Sequence, residues 1–82
     1  MKRTDELFME LSMYKNAGSI IKVMLIDKNI EEFIAKVSEF KSDEDDTKVL
    51  LKKIDSSFPF DENERMFYVK NIEDVQQIKS AI

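Results

Sequence analysis

The sequence predicts a small α+β domain with the element order α-β-α-β-β-α over residues 1–82. Two observations lead to this prediction. The segment 20–26 is rich in β-branched residues and almost entirely apolar, which is typical of a strand covered on both faces. A strand-like run that stops at Lys-Asn occurs twice, at Lys28-Asn29 and Lys70-Asn71, each time before a segment with helical spacing. Because Asn is a favoured N-cap, each stop is interpreted as a strand-to-helix junction.

The N-terminal segment 1–18 is predicted to be a helix that is capped by Thr4 and stops at Gly18. Glycine accepts the left-handed conformation that often ends a helix. Apolar residues repeat at i, i+4 and i+7 on one face, namely Leu7, Leu11 and Tyr14.

Two further helices are predicted from the spacing of apolar residues. In the segment 30–41 the apolar positions follow i, i+3, i+4, i+7 and i+10, namely Ile30, Phe33, Ile34, Val37 and Phe40. The final segment shows a similar spacing at Ile72, Val75, Ile78 and Ile82. Both segments directly follow a Lys-Asn stop, which is the reason for interpreting them as helices.

Three strands are predicted, at 20–26, 47–54 and 65–70. The second is ambiguous, because Leu50, Leu51 and Ile54 also fit one face of a helix. A strand is preferred, since a helix would leave only two strands, which rarely form a stable sheet alone. The predicted core at 19–82 is therefore a βαββα unit with a three-stranded mixed sheet packed by helices. The alternative is a mostly α-helical chain with a two-stranded hairpin.

Composition argues against several classes of function. The chain has no Cys, His or Trp, which removes thiolate nucleophiles, the commonest metal ligand and the usual general base near neutral pH. We therefore expect no enzyme activity, no cofactor and no metal site. Lys2 and Arg3 are followed by Asp5 and Glu6, unlike a signal peptide, so a cytoplasmic protein with no membrane segment is expected.

Two acidic segments and an aromatic loop are the candidate partner-binding residues. Phe58-Pro59-Phe60 is rimmed by acids, which resembles the anchor and rim of a protein–protein hot spot. The alternatives are that both rings fold inward and that the acids are only solvated loops. The predicted contact residues are Phe58, Phe60, Asp61, Glu62, Glu64, Asp43, Glu44, Asp45 and Asp46.

The N-terminal helix has more apolar surface than one sheet face requires. Methionine-rich surfaces suit adaptable contacts, so this helix is a candidate dimer or partner element. The residues concerned are Phe8, Met9, Met13 and Tyr14. Ordinary core packing is the alternative.

These features predict a non-enzymatic, acidic, protein-binding regulator or inhibitor with one partner protein not identified by the sequence. A phage or mobile-element inhibitor of a host or defence enzyme that handles nucleic acid fits this description. One alternative is a single-stranded nucleic-acid-binding module that uses Phe67 or Tyr68 for stacking. The net charge of −4 disfavours nucleic acid as a partner, because an acidic chain repels phosphates. The other alternative is a homodimeric structural or adaptor domain.

Overall fold

A computed structural model describes residues 3–42 and 46–79, and these form one helix and a five-stranded antiparallel sheet. The elements are α1 (Thr4–Ala17), β1 (Ile20–Leu25), β2 (Phe33–Ser42), β3 (Thr47–Lys53), β4 (Glu64–Tyr68) and β5 (Ile72–Lys79). A single 3₁₀ turn, Val69–Asn71, joins β4 to β5. The predicted α+β class is confirmed, but the predicted three-stranded mixed sheet is wrong, because five strands are present and every pair is antiparallel.

The sheet curls into an incompletely closed barrel. Its strand order is β4-β3-β2-β1-β5, so β4 and β5 form opposite edges. Only the three residues of the 3₁₀ turn separate these two strands in the chain, which requires the two edges to lie close together there. The backbone N–H of Ile26, just after β1, donates to the carbonyl oxygen of Asn71 at 2.9 Å. This hydrogen bond holds the end of β1 against the turn.

Helix α1 covers one side of the curled sheet. It packs against β2, β5 and the 3₁₀ turn, and its buried residues are Leu7 and Leu11. Thr4 is the first helical residue rather than the predicted cap; Arg3 occupies the N-cap position without a side-chain hydrogen bond. The predicted stop is confirmed, since Gly18 has φ 66° and its N–H donates to the carbonyl of Lys15 at 3.2 Å.

The predicted helix at 30–41 is wrong, because this segment contains strand β2. Phe33, Ala35 and Val37 are buried at every second position, as a strand requires. The register then shifts between Val37 and Glu39, which leaves Ser38 as the extra residue of a β-bulge. Beyond the bulge Phe40 packs against the core. The inward-facing residues have odd numbers before the bulge and an even number, Phe40, after it. The step from Val37 to Phe40 is therefore three residues, as in a helix.

The predicted final helix is also wrong, because residues Ile72–Lys79 form strand β5. Leu25 pairs with Ile72 and Met24 pairs with Asp74, so Glu73 is an extra residue between them. This irregularity buries both Ile72 and Val75, which are three positions apart. Ile82 lies outside the described residues.

The three predicted strands are confirmed with slightly different bounds. Residues 47–54, which also fitted a helix, form β3, and the alternative of a mostly α-helical chain is therefore wrong. The predicted strands at 20–26 and 65–70 correspond to β1 and β4. On β1 the residues Ile21, Val23 and Leu25 are buried, while the intervening residues are only partly covered. This strand therefore alternates, and it is not equally buried on both faces.

The core is a single apolar cluster inside the curled sheet, closed by Leu7 and Leu11 of the helix. Phe33 lies at the centre of a group of four aromatic rings. The centroid of its ring is 5.5 Å from that of Phe58, 6.0 Å from that of Phe60 and 5.9 Å from that of Phe67. The loop between β3 and β4 thus contributes two rings to the interior.

Candidate functional site

The aromatic loop lies partly inside the core. Phe58 is 5% exposed and meets Phe33 edge-on, so its ring is not available on the surface. For Phe58 the structure therefore agrees with the inward-folded alternative. Phe60 is partly buried, and its ring lies 5.3 Å from Phe58 and 5.4 Å from Phe67 between centroids. Only Phe60 of the predicted aromatic pair is left with an exposed edge.

A short chain of hydrogen bonds holds this loop against β2. The carboxylate of Asp55 accepts hydrogen bonds from the backbone N–H of Ser57, at 2.9 Å, and from its hydroxyl. The Ser57 oxygen in turn accepts from the backbone N–H of Ile34 at 2.8 Å. The hydroxyl of Ser57, followed by its backbone N–H, lowers the pKa of Asp55 below its usual 3.8. The ionised form of Asp55 is thus the form that the folded loop prefers.

Replacing Asp55 with Asn is expected to remove part of the acid sensitivity of the protein. The pKa of Asp55 is lower in the folded than in the unfolded chain, so in the carboxyl range the unfolded chain binds more protons. Its contribution to stability is therefore present above pH 3.8 and is lost as the pH falls through the lower folded pKa. The melting temperatures of the native protein and of Asp55→Asn, measured from pH 7 to acid pH, should differ at pH 7 and become equal at the acid end. A difference in melting temperature that stays the same at every pH would contradict this role of Asp55.

An apolar groove opens beside strand β4, where the barrel is not closed. Its volume is about 570 Å³, and it lies between β4 on one side and the end of β1 with the 3₁₀ turn on the other. Its apolar wall is formed by Ile26, Ile30, Phe60, Met66 and Tyr68. Ile26 and Tyr68 are exposed large apolar side chains. The groove therefore offers an apolar surface next to the edge strand β4.

Strand β4 is a free edge of the sheet along this groove. Within the described part of the chain it pairs only with β3, so its other side has unpaired backbone groups. The same holds for the outer side of β5, which pairs only with β1. Of the two edges, only β4 has side chains in the groove wall, from Arg65 to Tyr68.

The predicted acidic residues divide between the groove and another part of the molecule. Asp61, Glu62 and Glu64 are exposed; the first two precede β4 and Glu64 begins it, between Phe60 and Arg65 of the groove wall. Glu62 forms an ion pair with Arg65 at 2.9 Å, and the Arg65 guanidinium lies 4.5 Å from the centroid of the Phe60 ring. Because Arg65 and Phe60 line the groove, these contacts place Glu62 on its rim.

The other predicted acidic segment, 43–46, comes before β3, whereas the loop with Phe60 comes after it. Asp46 forms an ion pair with Lys70 at 3.1 Å. Asp43, Glu44 and Asp45 lie outside the described residues. Residues 46 and 54 flank opposite ends of β3, so Asp46 and the acids after Phe60 do not form one continuous acidic surface.

The candidate residues of the helix lie on two of its faces. Met9 and Met13 are exposed, and Tyr14 is partly buried against the core. The ring of Phe8 is partly exposed and lies 4.9 Å from that of Phe40, measured between centroids. The helix thus leaves a small apolar surface, centred on two methionines, away from the groove.

The two aromatic residues considered for base stacking lie on opposite faces of β4, as their adjacent positions require. Phe67 is in the core. Tyr68 faces outward, with the ammonium groups of Lys48 and Lys70 at 5.0 and 5.3 Å from the centroid of its ring. The sequence did not indicate basic residues around Tyr68, because Lys48 approaches it only through the pairing of β3 with β4.

The groove residues Ile26, Ile30 and Met66 were not predicted as functional residues. They come from three separate segments, and only the curling of the sheet brings them together. Among the described residues there is no group of three or more Asp or Glu side chains placed to hold a metal ion. Within the same residues no helix has the length and apolar character needed to cross a membrane. Comparison with protein families, curated proteins and solved structures finds no match to this chain.

Proposed function

We propose that this protein is a non-enzymatic protein-binding regulator or inhibitor that holds an extended segment of its partner along β4. The free edge of β4 beside an apolar groove is the observation on which this proposal rests. An extended peptide can add a strand to such an edge. Backbone hydrogen bonds then supply affinity, and alternate side chains of the peptide enter the groove.

The groove suits this mode of binding because it combines apolar anchors with a polar rim. Ile26, Ile30 and Met66 offer contacts for one or two apolar side chains of the partner. Phe60 is held in place by Phe58 and Phe67, so it adds a rigid aromatic wall at little entropic cost. Phe58 then acts indirectly, as the support of Phe60.

The rim of the groove is acidic. Asp27 lies at its edge, Asp61 and Glu62 are on the adjoining loop, and Glu64 begins β4. A partner segment that alternates apolar with basic residues complements this surface. Enzymes that handle nucleic acid have basic surfaces that contact phosphates, so they are the partner class that this chemistry favours.

The binding mode can be tested with peptides selected from a displayed library of random sequences. We expect the selected peptides to be extended, with alternating apolar and basic residues. In heteronuclear NMR spectra their binding should shift the backbone amide signals of residues 64–68 and slow hydrogen exchange there. Selected peptides that shift only amide signals of α1 would overturn the proposal.

Replacing Ile26 with Glu is expected to weaken these peptides by about tenfold or more, because it places a charge in the apolar wall. Ile54→Glu is the matched control, since Ile26 and Ile54 are both 40% exposed but only Ile26 lines the groove. Affinities can be measured by isothermal titration calorimetry after thermal denaturation has shown that both variants fold. Equal weakening by the two substitutions would contradict the assignment of the groove.

A further inference from the structure

The outward face of β2 and β3 gathers four lysines of this acidic chain. Lys36 pairs with Lys52, and Lys41 pairs with Lys48, in the register of the two strands. Directly paired residues of an antiparallel sheet point to the same face. Val49 and Leu51 point into the core, so Lys48 and Lys52 point outward with their partners.

Two lysine pairs directly opposite each other are unfavourable for folding. Like charges in facing positions of an antiparallel sheet destabilise it. Two acidic residues lie on this face, namely Glu39, which is paired with Leu50, and Glu64, which is paired with Lys52. The chain as a whole has a net charge of −4, so its acids lie mainly elsewhere. A polyanionic ligand complements the four lysines that are gathered on this face.

An aromatic ring continues one of the lysine rows. Tyr68 of β4 pairs with Lys48, which places Lys41, Lys48 and Tyr68 side by side across three strands. The Tyr68 side chain is 39% exposed. Lys48 and Lys70 hold their ammonium groups near its ring, at 5.0 and 5.3 Å from the centroid. A partly exposed ring with cations close to it is a combination that binds single-stranded nucleic acid, and a stacked base would take the place of an ammonium group over the ring.

We propose that this lysine face, defined by Lys36, Lys41, Lys48, Lys52 and Tyr68, binds single-stranded nucleic acid. Tyr68 stacks on a base, and the lysines contact phosphates. Lys48 and Lys52 are four residues apart on one strand, which separates the two lysine pairs by about 14 Å. The pairs therefore contact phosphates at two places along the strand. An acidic protein segment would use the lysines equally well but would gain little from Tyr68.

The net negative charge limits the affinity without preventing binding. Exposed charges more than a Debye length away, about 10 Å at 0.1 M salt, are largely screened. A bound strand therefore experiences mainly the charges of this face, where the four lysines outnumber Glu39 and Glu64. We expect a Kd on the order of 10 μM for an oligonucleotide of about 12 nucleotides at about 0.1 M salt, with a strong dependence on salt.

The test is fluorescence anisotropy with labelled oligo(dT) and oligo(U) of about 12 nucleotides. The variant Lys41→Gln/Lys48→Gln should weaken binding by about tenfold and reduce the slope of log K against log salt by about 1.4. The matched control is Lys15→Gln/Lys53→Gln, which changes the net charge equally. Lys15 is on α1 and Lys53 pairs with the inward-pointing Ala35, so neither is on the lysine face. The control should bind nearly as well as the native protein.

Further measurements separate a specific surface from general attraction. Tyr68→Ala should weaken binding several-fold while leaving the salt slope unchanged, because stacking involves no counterion release. The proposal is overturned if Lys41→Gln/Lys48→Gln and the control Lys15→Gln/Lys53→Gln weaken binding equally. It is also overturned if about 200 μM protein in low salt causes no anisotropy change. Stronger competition by polyglutamate than by unlabelled oligonucleotide would also overturn it and would indicate an acidic protein as the ligand.

Discussion

Phe33→Ala is expected to destabilise the protein by about 3–5 kcal/mol, which is one of the two largest effects predicted from this structure. Phe33 is almost fully buried, and its ring contacts those of Phe58, Phe60 and Phe67. Its removal leaves a cavity that three other rings border. Small domains have unfolding free energies near the lower end of about 5–15 kcal/mol, so the variant should be largely unfolded on mild heating.

Urea denaturation followed by circular dichroism measures this effect, with Phe8→Ala as the control. Phe8 makes one aromatic contact, with Phe40, and is partly exposed, so its loss should cost only about 1 kcal/mol. If Phe33→Ala does not fold, Phe33→Leu provides a milder variant with an expected loss of about 1–2 kcal/mol. Equal losses for Phe33 and Phe8 would show that the four-ring cluster is not the centre of the core.

The double variant Leu7→Ala/Leu11→Ala is expected to lose at least about 4 kcal/mol and to detach α1 from the sheet. These two residues are the buried residues of the helix and close the core cluster. Alanine has the highest helix propensity, so any loss of stability reflects lost packing rather than a weaker helix. Thermal denaturation should show the loss, and limited proteolysis should cleave first within residues 4–17.

Met9→Ala/Met13→Ala is the matched control on the same helix. It also changes two residues four positions apart to alanine, but Met9 is 71% and Met13 is 57% exposed. Its stability should therefore stay within about 1 kcal/mol of the native protein. A loss as large as that of the leucine pair in dilute solution would contradict the described docking of α1 and would indicate that the methionines are buried, as in a dimer.

The three strands predicted from the sequence and the N-terminal helix are present, but the other two predicted helices are strands. β1, β3 and β4 follow from β-branched or alternating runs, and α1 follows from its leucines and Gly18. The two wrong helices have a common physical cause. A β-bulge adds one residue to a strand, and so converts inward positions two apart into positions three apart. In β2 this occurs at Ser38 and in β5 at Glu73.

The repeated Lys-Asn pattern marks turns rather than helix starts. At the first copy, the N–H of Asn29 donates to the carboxylate of Asp27 at 3.0 Å, a local bond typical of turns. At the second copy, Lys70 and Asn71 belong to the 3₁₀ turn. The two copies lie next to each other, since Lys28 forms an ion pair with Glu73 at 2.7 Å. Asn favours both helix caps and turns, so sequence alone does not distinguish them.

The candidate surfaces were only partly predictable. The loop at 55–63 is identifiable from its composition, and its Phe60 lines the groove, but the inward position of Phe58 depends on the space beside Phe33. The groove depends on the curling of the sheet and leaves no local signal in the sequence. The lysine face depends on the register of β2 and β3, which the wrong assignment of β2 as a helix concealed.

The pairing of β1 with β5 has a consequence for how the chain folds. The other strand pairs join neighbours in sequence, whereas Val23 pairs with Val75, about 50 residues later, which is a slow contact to form. Until residues 72–79 arrive, β1 exposes one unpaired side, and its apolar residues can join another chain. The pairing of β5 with β1 therefore completes the sheet, and slower pairing prolongs the time during which β1 can pair with another chain.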